Sequence, residues 1–243
     1  MKKVSNSDIT VIIPTLNEEK SIAEVIQELN QMGYNNVLVI DGNSTDRTVE
    51  IAKKFGANVI FQDGKGKGAA LRQVFENDYL MSDVVVMMDA DASMNSKEIP
   101  LFIKALASGA DLVKASRFLP GGYSEDMTLI RRIGNRFFLS LVNRLWSANY
   151  TDLCYGFGAF RKSALKRLYP HLKSKNFEIE TEIFIKSKKL GLKTVEIPSV
   201  ELRRHQGKSN LRAIPDGFRI LFTIVREFID QYSTRNVENR RKA

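Results

Sequence analysis

Val84-Val85-Val86-Met87-Met88-Asp89-Ala90-Asp91 passes from an apolar run straight into two carboxylates one residue apart. The apolar part reads as a strand buried on both faces, and the acidic part then lies where that strand leaves the sheet. Two carboxylates on a turning backbone can share one hard divalent cation, and such an ion keeps positions open for phosphate oxygens. Asp89 and Asp91 therefore point to a nucleotide diphosphate site. An isolated Asp-x-Asp is also an ordinary solvated turn, so its neighbours have to decide.

Working outward, Thr10 to Ile13, Val37 to Ile40, Val59 to Phe61 and Leu112 to Lys114 read as further strands, rich in β-branched residues and bounded by turn formers. Between them Glu18 to Gln31, Asp46 to Phe55, Lys67 to Tyr79 and Ser96 to Ser108 carry helical periodicity, with Ser44 or Thr45 and Ser96 as start signals. This alternation predicts an α/β fold, a mostly parallel sheet flanked by helices, with its ligand crevice at the carboxyl ends of the strands. The residues there are polar: Pro14, Thr15, Asn17, Glu18 and Glu19; Asp41, Gly42, Asn43 and Ser44; Asp63 to Gly68; Asp89 and Asp91. Each group alone would pass for a turn or a helix cap. Together they converge on one rim.

The second half is patterned differently. After the loop Arg117-Phe118-Leu119-Pro120-Gly121-Gly122, a basic amphipathic helix is expected from Leu129 to Trp146, a strand near Gly158 to Phe160 and a helix from Phe177 to Leu190. An extended stretch from Thr194 to Leu202 follows, then a last helix from Pro215 to Tyr232. In that helix Phe218, Leu221, Phe222, Val225, Phe228 and Ile229 form one apolar stripe, expected to pack on the protein's own core, with a membrane surface as the alternative. The reading is one domain over 1–232, made of a nucleotide half at about 8–115 and an acceptor half at about 116–232. The basic stretch 233–243 reads as a frayed tail.

With 243 residues and 43% hydrophobic content the chain can fill a sizeable core. Its net charge of +9 predicts an anionic partner without saying which. No nucleic-acid motif appears, and no nucleic-acid partner is expected. The single cysteine, Cys154, cannot form an internal disulfide, which suits a reducing compartment. No signal peptide or membrane-spanning run is read, so a soluble or peripheral protein is expected. Neither His171 nor His205 has a partner at zinc-ligand spacing, and Gly64, Gly66 and Gly68 do not make the dinucleotide fingerprint.

Taken together, Val11 to Glu19, Val39 to Thr48, Gly64-Lys65-Gly66-Lys67-Gly68 and Asp89-Ala90-Asp91 resemble family 2 glycosyltransferases of the GT-A fold. Ser116-Arg117-Phe118, Gly121-Gly122, Arg131, Asp152 ahead of Gly156-Phe157 and Arg204-His205-Gln206-Gly207-Lys208-Ser209 narrow the likeness to the dolichyl-phosphate mannose and glucose synthases. The resemblance spans about 8–210.

It implies that Pro14, Thr15, Asn17, Glu18, Asp41 and Asn43 line the nucleoside pocket, and that Lys67 and Asp89-Ala90-Asp91 meet the donor diphosphate. Asp89 and Asp91 would hold Mg²⁺ or Mn²⁺, although Ser93 stands where several relatives have a metal-binding Gln. Arg204 and Lys208 match a loop closing over the donor phosphates, where Ser209-Asn210 departs from the usual Ser-Lys. Arg117 and Arg131 would grip the phosphate of a polyprenyl or dolichyl phosphate acceptor. Arg131 could instead merely balance an acidic neighbour. The implied reaction is an inverting sugar transfer from a UDP-glucose or GDP-mannose type donor by a peripheral enzyme at the cytoplasmic face of a membrane, reached directly or through a membrane-anchoring subunit. Two alternatives stay open: a hydroxyl acceptor with Asp152 as base, and a non-catalytic anion- or membrane-binding module.

Overall fold

The computed structural model of the chain describes residues 6–77, 79–80, 82–204 and 212–242, with side chains up to residue 231. The first half runs β1 (Ile9–Thr15), α1 (Ile22–Gln31), β2 (Val37–Asp41), α2 (Thr48–Lys54), β3 (Asn58–Phe61), α3 (Lys67–Glu76), β4 (Val84–Met87), α4 (Ile99–Ala107) and β5 (Leu112–Ser116). The second half adds β6 (Tyr123–Ser124), α5 (Leu129–Trp146), β7 (Gly158–Arg161), α6 (Lys162–Leu168), α7 (Ile179–Lys189), β8 (Thr194–Pro198), β9 (Val200–Glu201) and α8 (Ala213–Lys242).

One sheet takes the order β3-β2-β1-β4-β7-β5-β8. Its pairings are parallel except at β7, which runs antiparallel to both β4 and β5. The mostly parallel expectation therefore holds. Helices cover both faces, and so β2, β4 and β5 are buried throughout; β4 is an unbroken apolar run, whereas β5 carries the buried Lys114 and Ser116. Successive strand residues point to opposite cores: Val84 and Val86 pack with α1, α2 and α4, while Val85 and Met87 pack with α3 and α5 to α8. β6 and β9 form a separate parallel pair, and Met94 bridges to Glu201 from the loop that follows β4.

Several boundaries shift for identifiable reasons. α1 starts at Ile22 because Glu18 stays in the rim loop, its N–H donating to Thr48 Oγ1 at 2.8 Å. The extended stretch from Thr194 divides at Ser199, whose N–H reaches the Ser116 carbonyl. α6 was not anticipated, being short and hidden in the basic run 161–167, yet it buries Ala164, Leu165 and Leu168.

The last helix departs most from expectation. It continues to Lys242, through the stretch read as a tail. Of its apolar stripe only Leu221 packs against the core: Phe218 is 69% and Phe222 68% exposed, and Val225, Phe228 and Ile229 are exposed beside them. The buried side is instead Ile220, Thr223, Ile224 and Glu227. Glu227, fully buried, takes Lys186 at 2.7 Å and Lys189 at 3.0 Å, and Arg226 reaches Glu182, so charge pairs hold α8 onto α7. Trp146 Nε1 donates to Gln231 Oε1 at 2.6 Å and ties α5 to the same helix.

A Cβ at Gly158, in the antiparallel strand, would lie 2.6 Å from the Val113 carbonyl oxygen. Replacing Gly158 with Ala should cost about 1–3 kcal/mol, seen in urea as a lower midpoint at unchanged slope.

Candidate active site

The carboxyl ends of β1, β2 and β4, the first turn of α3 and the loop after β9 surround a cavity of about 650 Å³. Its rim is cross-braced by its own polar groups. Asn17 N–H donates to Ser44 Oγ at 2.9 Å, Thr45 N–H to Asn17 Oδ1 at 2.8 Å and Gly42 N–H to the Thr15 carbonyl at 2.8 Å. Asn17, Asn43 and Ala92 all adopt positive φ, of 55°, 65° and 60°, so the chain turns sharply where the loops meet. Pro14, Thr15, Glu18 and Asn43 line the cavity as the sequence suggested. Asn17 and Asp41 do not. Asp41 is fully buried, accepting from the Ser44 N–H at 2.9 Å and from the Ser44 hydroxyl, so its carboxylate shapes the loop and does not face the cavity.

The acidic end brings Asp89 and Asp91 to the cavity, with Ala90 buried between them. Each carboxylate meets a cation. Lys67 Nζ donates to Asp89 Oδ1 at 2.5 Å and to Glu180 Oε1 at 2.7 Å. Arg204 Nη1 lies 3.3 Å from Asp91 Oδ2, and its Nη2 reaches Glu18. Burial lifts the Glu18 carboxyl above its ordinary pKa against the pull of Arg204. Burial alone would lower the Lys67 ammonium, but Asp89 and Glu180 outweigh it and hold the group above its ordinary value. Ser93 donates its hydroxyl to Asp91 Oδ1 at 2.7 Å, so it orients this carboxylate. Lys208 lies outside the described residues, as does His205.

Asp89 and Asp91 suit Mg²⁺ or Mn²⁺, because both present hard oxygen donors to the same cavity. Among the described residues no group of three or more His, Cys, Asp and Glu side chains is arranged for a metal. Phosphate oxygens and water would complete such a shell, the usual arrangement for Mg²⁺ at a substrate phosphate.

Arg117 and Asp152 form a buried unit behind this end. All five guanidinium N–H donors are engaged: Nε and Nη2 on Asp152 at 2.7 and 3.0 Å, Nη2 also on the Cys154 carbonyl at 3.0 Å, and Nη1 on both Glu201 oxygens at 3.1 Å. The guanidinium lies over the Tyr155 ring at 4.6 Å. Asp152 is fully buried and does not line the cavity. Burial would raise its pKa, but Arg117 outweighs burial and holds the carboxyl below the ordinary range. This arrangement does not favour the alternative of Asp152 as a base, because a shielded, ion-paired carboxylate does not face a substrate hydroxyl in the cavity.

At its other end the cavity becomes apolar. Ile130, Gly134 and Phe138 of α5 face Ile214, Gly217 and Ile220 of α8, with Arg131 beside them and 3.8 Å from Asp126. The exposed residues Leu129, Ile133, Phe137, Phe218 and Phe222 continue this face outward. Reading the sequence missed Glu180 and Glu201, which both line the cavity. The run Glu178-Ile179-Glu180-Thr181-Glu182 carried a signal for the first: three acids at a helix start whose flanking residues read as core. Glu201 carried none.

Replacing Asp152 with Asn should destabilise the fold by about 3–5 kcal/mol at neutral pH, because it leaves Arg117 buried without its main counter-charge. The folded pKa is depressed, so this stabilisation is complete above about pH 4, the unfolded value, and is lost as pH falls through the folded one. Denaturant midpoints of the two proteins should converge only below about pH 4.

The glycosyl transferase family 2 model matches residues 10–169. Glycosyltransferase AglJ of Haloferax volcanii is 35% identical over 90% of this chain and 71% of its own length. A dolichyl-phosphate hexose transferase of the same organism is 30% identical over 95% of this chain and 98% of its own. Glucosyl-3-phosphoglycerate synthase of Mycobacterium tuberculosis, solved with UDP, superposes with a TM-score of 0.72 at 21% identity, covering 90% of this chain and 79% of that one, a likeness of fold. A chain matched by this model over most of its length, and similar to such relatives, belongs to glycosyl transferase family 2.

Proposed function

We propose that the protein transfers a sugar from a nucleotide sugar to a polyprenyl phosphate, with inversion and with help from a divalent cation. The carrying observation is that one cavity joins the carboxylates Asp89 and Asp91 to an apolar trough between α5 and α8, with Arg131 where the two meet. A donor diphosphate suits the first end and a prenyl chain the second. The dolichyl-phosphate hexose transferase of Haloferax volcanii and the dolichol-phosphate mannosyltransferase of Pyrococcus furiosus, 31% identical over 84% of this chain, support the reading.

In this reading Pro14, Thr15, Glu18 and Asn43 hold the nucleoside, while Lys67 and Arg204 balance charge on the diphosphate. Mg²⁺ or Mn²⁺ on Asp89 and Asp91 would stabilise the negative charge that grows on the leaving nucleoside diphosphate. Arg131 and the Nη1 edge of Arg117, now held by Glu201, supply positive charge for the acceptor phosphate. That phosphate is already an anion at neutral pH. One of its oxygens attacks the anomeric carbon in line as the bond to the diphosphate oxygen breaks, so an α-linked donor gives a β-linked product without a strong base. Positioning supplies most of the rate. The burial of Asp152 favours this acceptor over a hydroxyl, whose proton would need a carboxylate.

The outward apolar residues of α5 and α8 would rest on a membrane surface, with the exposed Arg132 and Arg136 on the same helix α5. Among the described residues no helix is long and apolar enough to cross a membrane.

Radiolabel from a panel of UDP and GDP sugars should pass into organic-extractable polyprenyl-phosphate sugar with Mn²⁺ present. Asp91→Ala should lower kcat/KM at least about a hundredfold, in line with the loss of one electrostatic contact to developing charge. Labelling that persists unchanged without metal and in Asp91→Ala would reject the reading. Separately, Phe218→Ser with Phe222→Ser should weaken binding to anionic vesicles about tenfold or more, given the area of two aromatic rings. Co-sedimentation that does not change would remove the membrane-facing assignment.

A further inference from the structure

Lys67 serves two carboxylates at once, and the two are not equivalent. The Asp89 side chain remains 30% exposed toward the cavity, whereas Glu180 keeps 8%. The three groups come from separate elements: Lys67 opens α3, Asp89 follows β4 and Glu180 lies in the first turn of α7.

The surroundings are built for this cluster. A Cβ on Gly156 would lie 2.5 Å from Glu180 Oε1 and 2.6 Å from Lys67 Nζ, so the ion pair occupies the space a side chain would take. Gly66, at φ 97°, lets the turn before Lys67 press on the chain opposite, where a Cβ would meet the Lys175 carbonyl oxygen at 2.4 Å and Asn176 Oδ1 at 2.5 Å. Lys67 is thus delivered to one place, within reach of both acids.

A dication bound to Asp89 would meet an ammonium on the same carboxylate, and the two cations repel. Withdrawing the ammonium into apolar surroundings unpaired would carry a large desolvation cost. Glu180 removes that difficulty, because it already touches Lys67 and can keep it paired when Asp89 is given up.

We propose that Glu180 is a positioning residue for the cation site, receiving Lys67 when a divalent ion takes Asp89 and thereby setting the affinity for that ion. The inference rests on the reading of Asp89 and Asp91 as the ion's ligands.

The test is titration of the full chain with Mn²⁺ alone, following the electron paramagnetic resonance signal of free Mn²⁺, beside thermal unfolding of each variant. Glu180→Gln should weaken Mn²⁺ binding about tenfold or more, since the ammonium is then left to pair with Asp89 and contends with the ion for it. Lys67→Met, and Lys67→Met combined with Glu180→Gln, should bind Mn²⁺ at least as tightly as the unmodified protein, because no ammonium contends for Asp89. Recovery in the double variant separates this role from plain structural damage, which a second core change would not repair. Wild-type affinity in folded Glu180→Gln would overturn the proposal while leaving the cation site intact. So would binding by Lys67→Met or the double variant that is weaker than wild type. If the unmodified protein fails to bind Mn²⁺, both alone and with UDP, the assignment of Asp89 and Asp91 falls first and this proposal with it.

Discussion

Charge is gathered where the sheet ends, and buried charge must be paired. Glu18, Asp89, Asp91, Glu180 and Glu201 line one cavity with Lys67, Arg117, Arg131 and Arg204. Much of the local geometry follows from matching them. Lys67 sits between Asp89 and Glu180, Arg204 between Asp91 and Glu18, and Arg117 between Asp152 and Glu201. Each of these three cations bridges two acids drawn from different parts of the chain. The arrangement holds the cleft together and keeps its polar groups compensated. In the proposed function, a diphosphate and a divalent ion would enter by exchanging partners with groups already in place, at lower cost than inserting charge into an apolar pocket.

The same logic runs away from the cavity into the second core. Lys114 is fully buried in β5, pairs with Glu196 at 3.4 Å, donates to the Asp152 carbonyl and lies 4.5 Å from the centre of the Phe184 ring. Glu196 in turn accepts from the Thr151 N–H at 2.9 Å. β5, β8 and the segment carrying Asp152 are thus joined by polar contacts whose loss would leave unpaired charge, which explains how a fully buried lysine persists in a central strand. The inserted antiparallel β7 makes this possible. It separates β4 from β5, its first residue Gly158 pairing with Met87 near the acidic end and its last, Arg161, with Val84.

The two ends of the cavity obey opposite rules. Around Asp89 the side chains are polar and paired; between α5 and α8 they are mostly apolar, with Asn135 and Asp216 among them, and their outer continuation lies open to solvent. α8 buries Ile220 and Ile224 in the core together with Thr223 and Glu227, the last held by charge pairs to α7, and leaves the aromatic stripe outside.

Local sequence determined the alternating strands and helices of the first half, because strands covered on both faces are mostly apolar and the helices that cover them are amphipathic. Asp89 and Asp91 were legible for the same reason: they directly follow an apolar run. Tertiary structure alone decided what those residues meet. Glu180 stands 113 positions from Lys67, and Glu201 stands 84 from Arg117, separations across which no periodicity carries information. The direction of β7, the retreat of Asp41 and Asp152 from the cavity and the outward turn of the α8 stripe belong to the same class. Periodicity reports that a segment has two unlike faces; which face is buried, and beside which distant charge, is settled only when the whole chain packs.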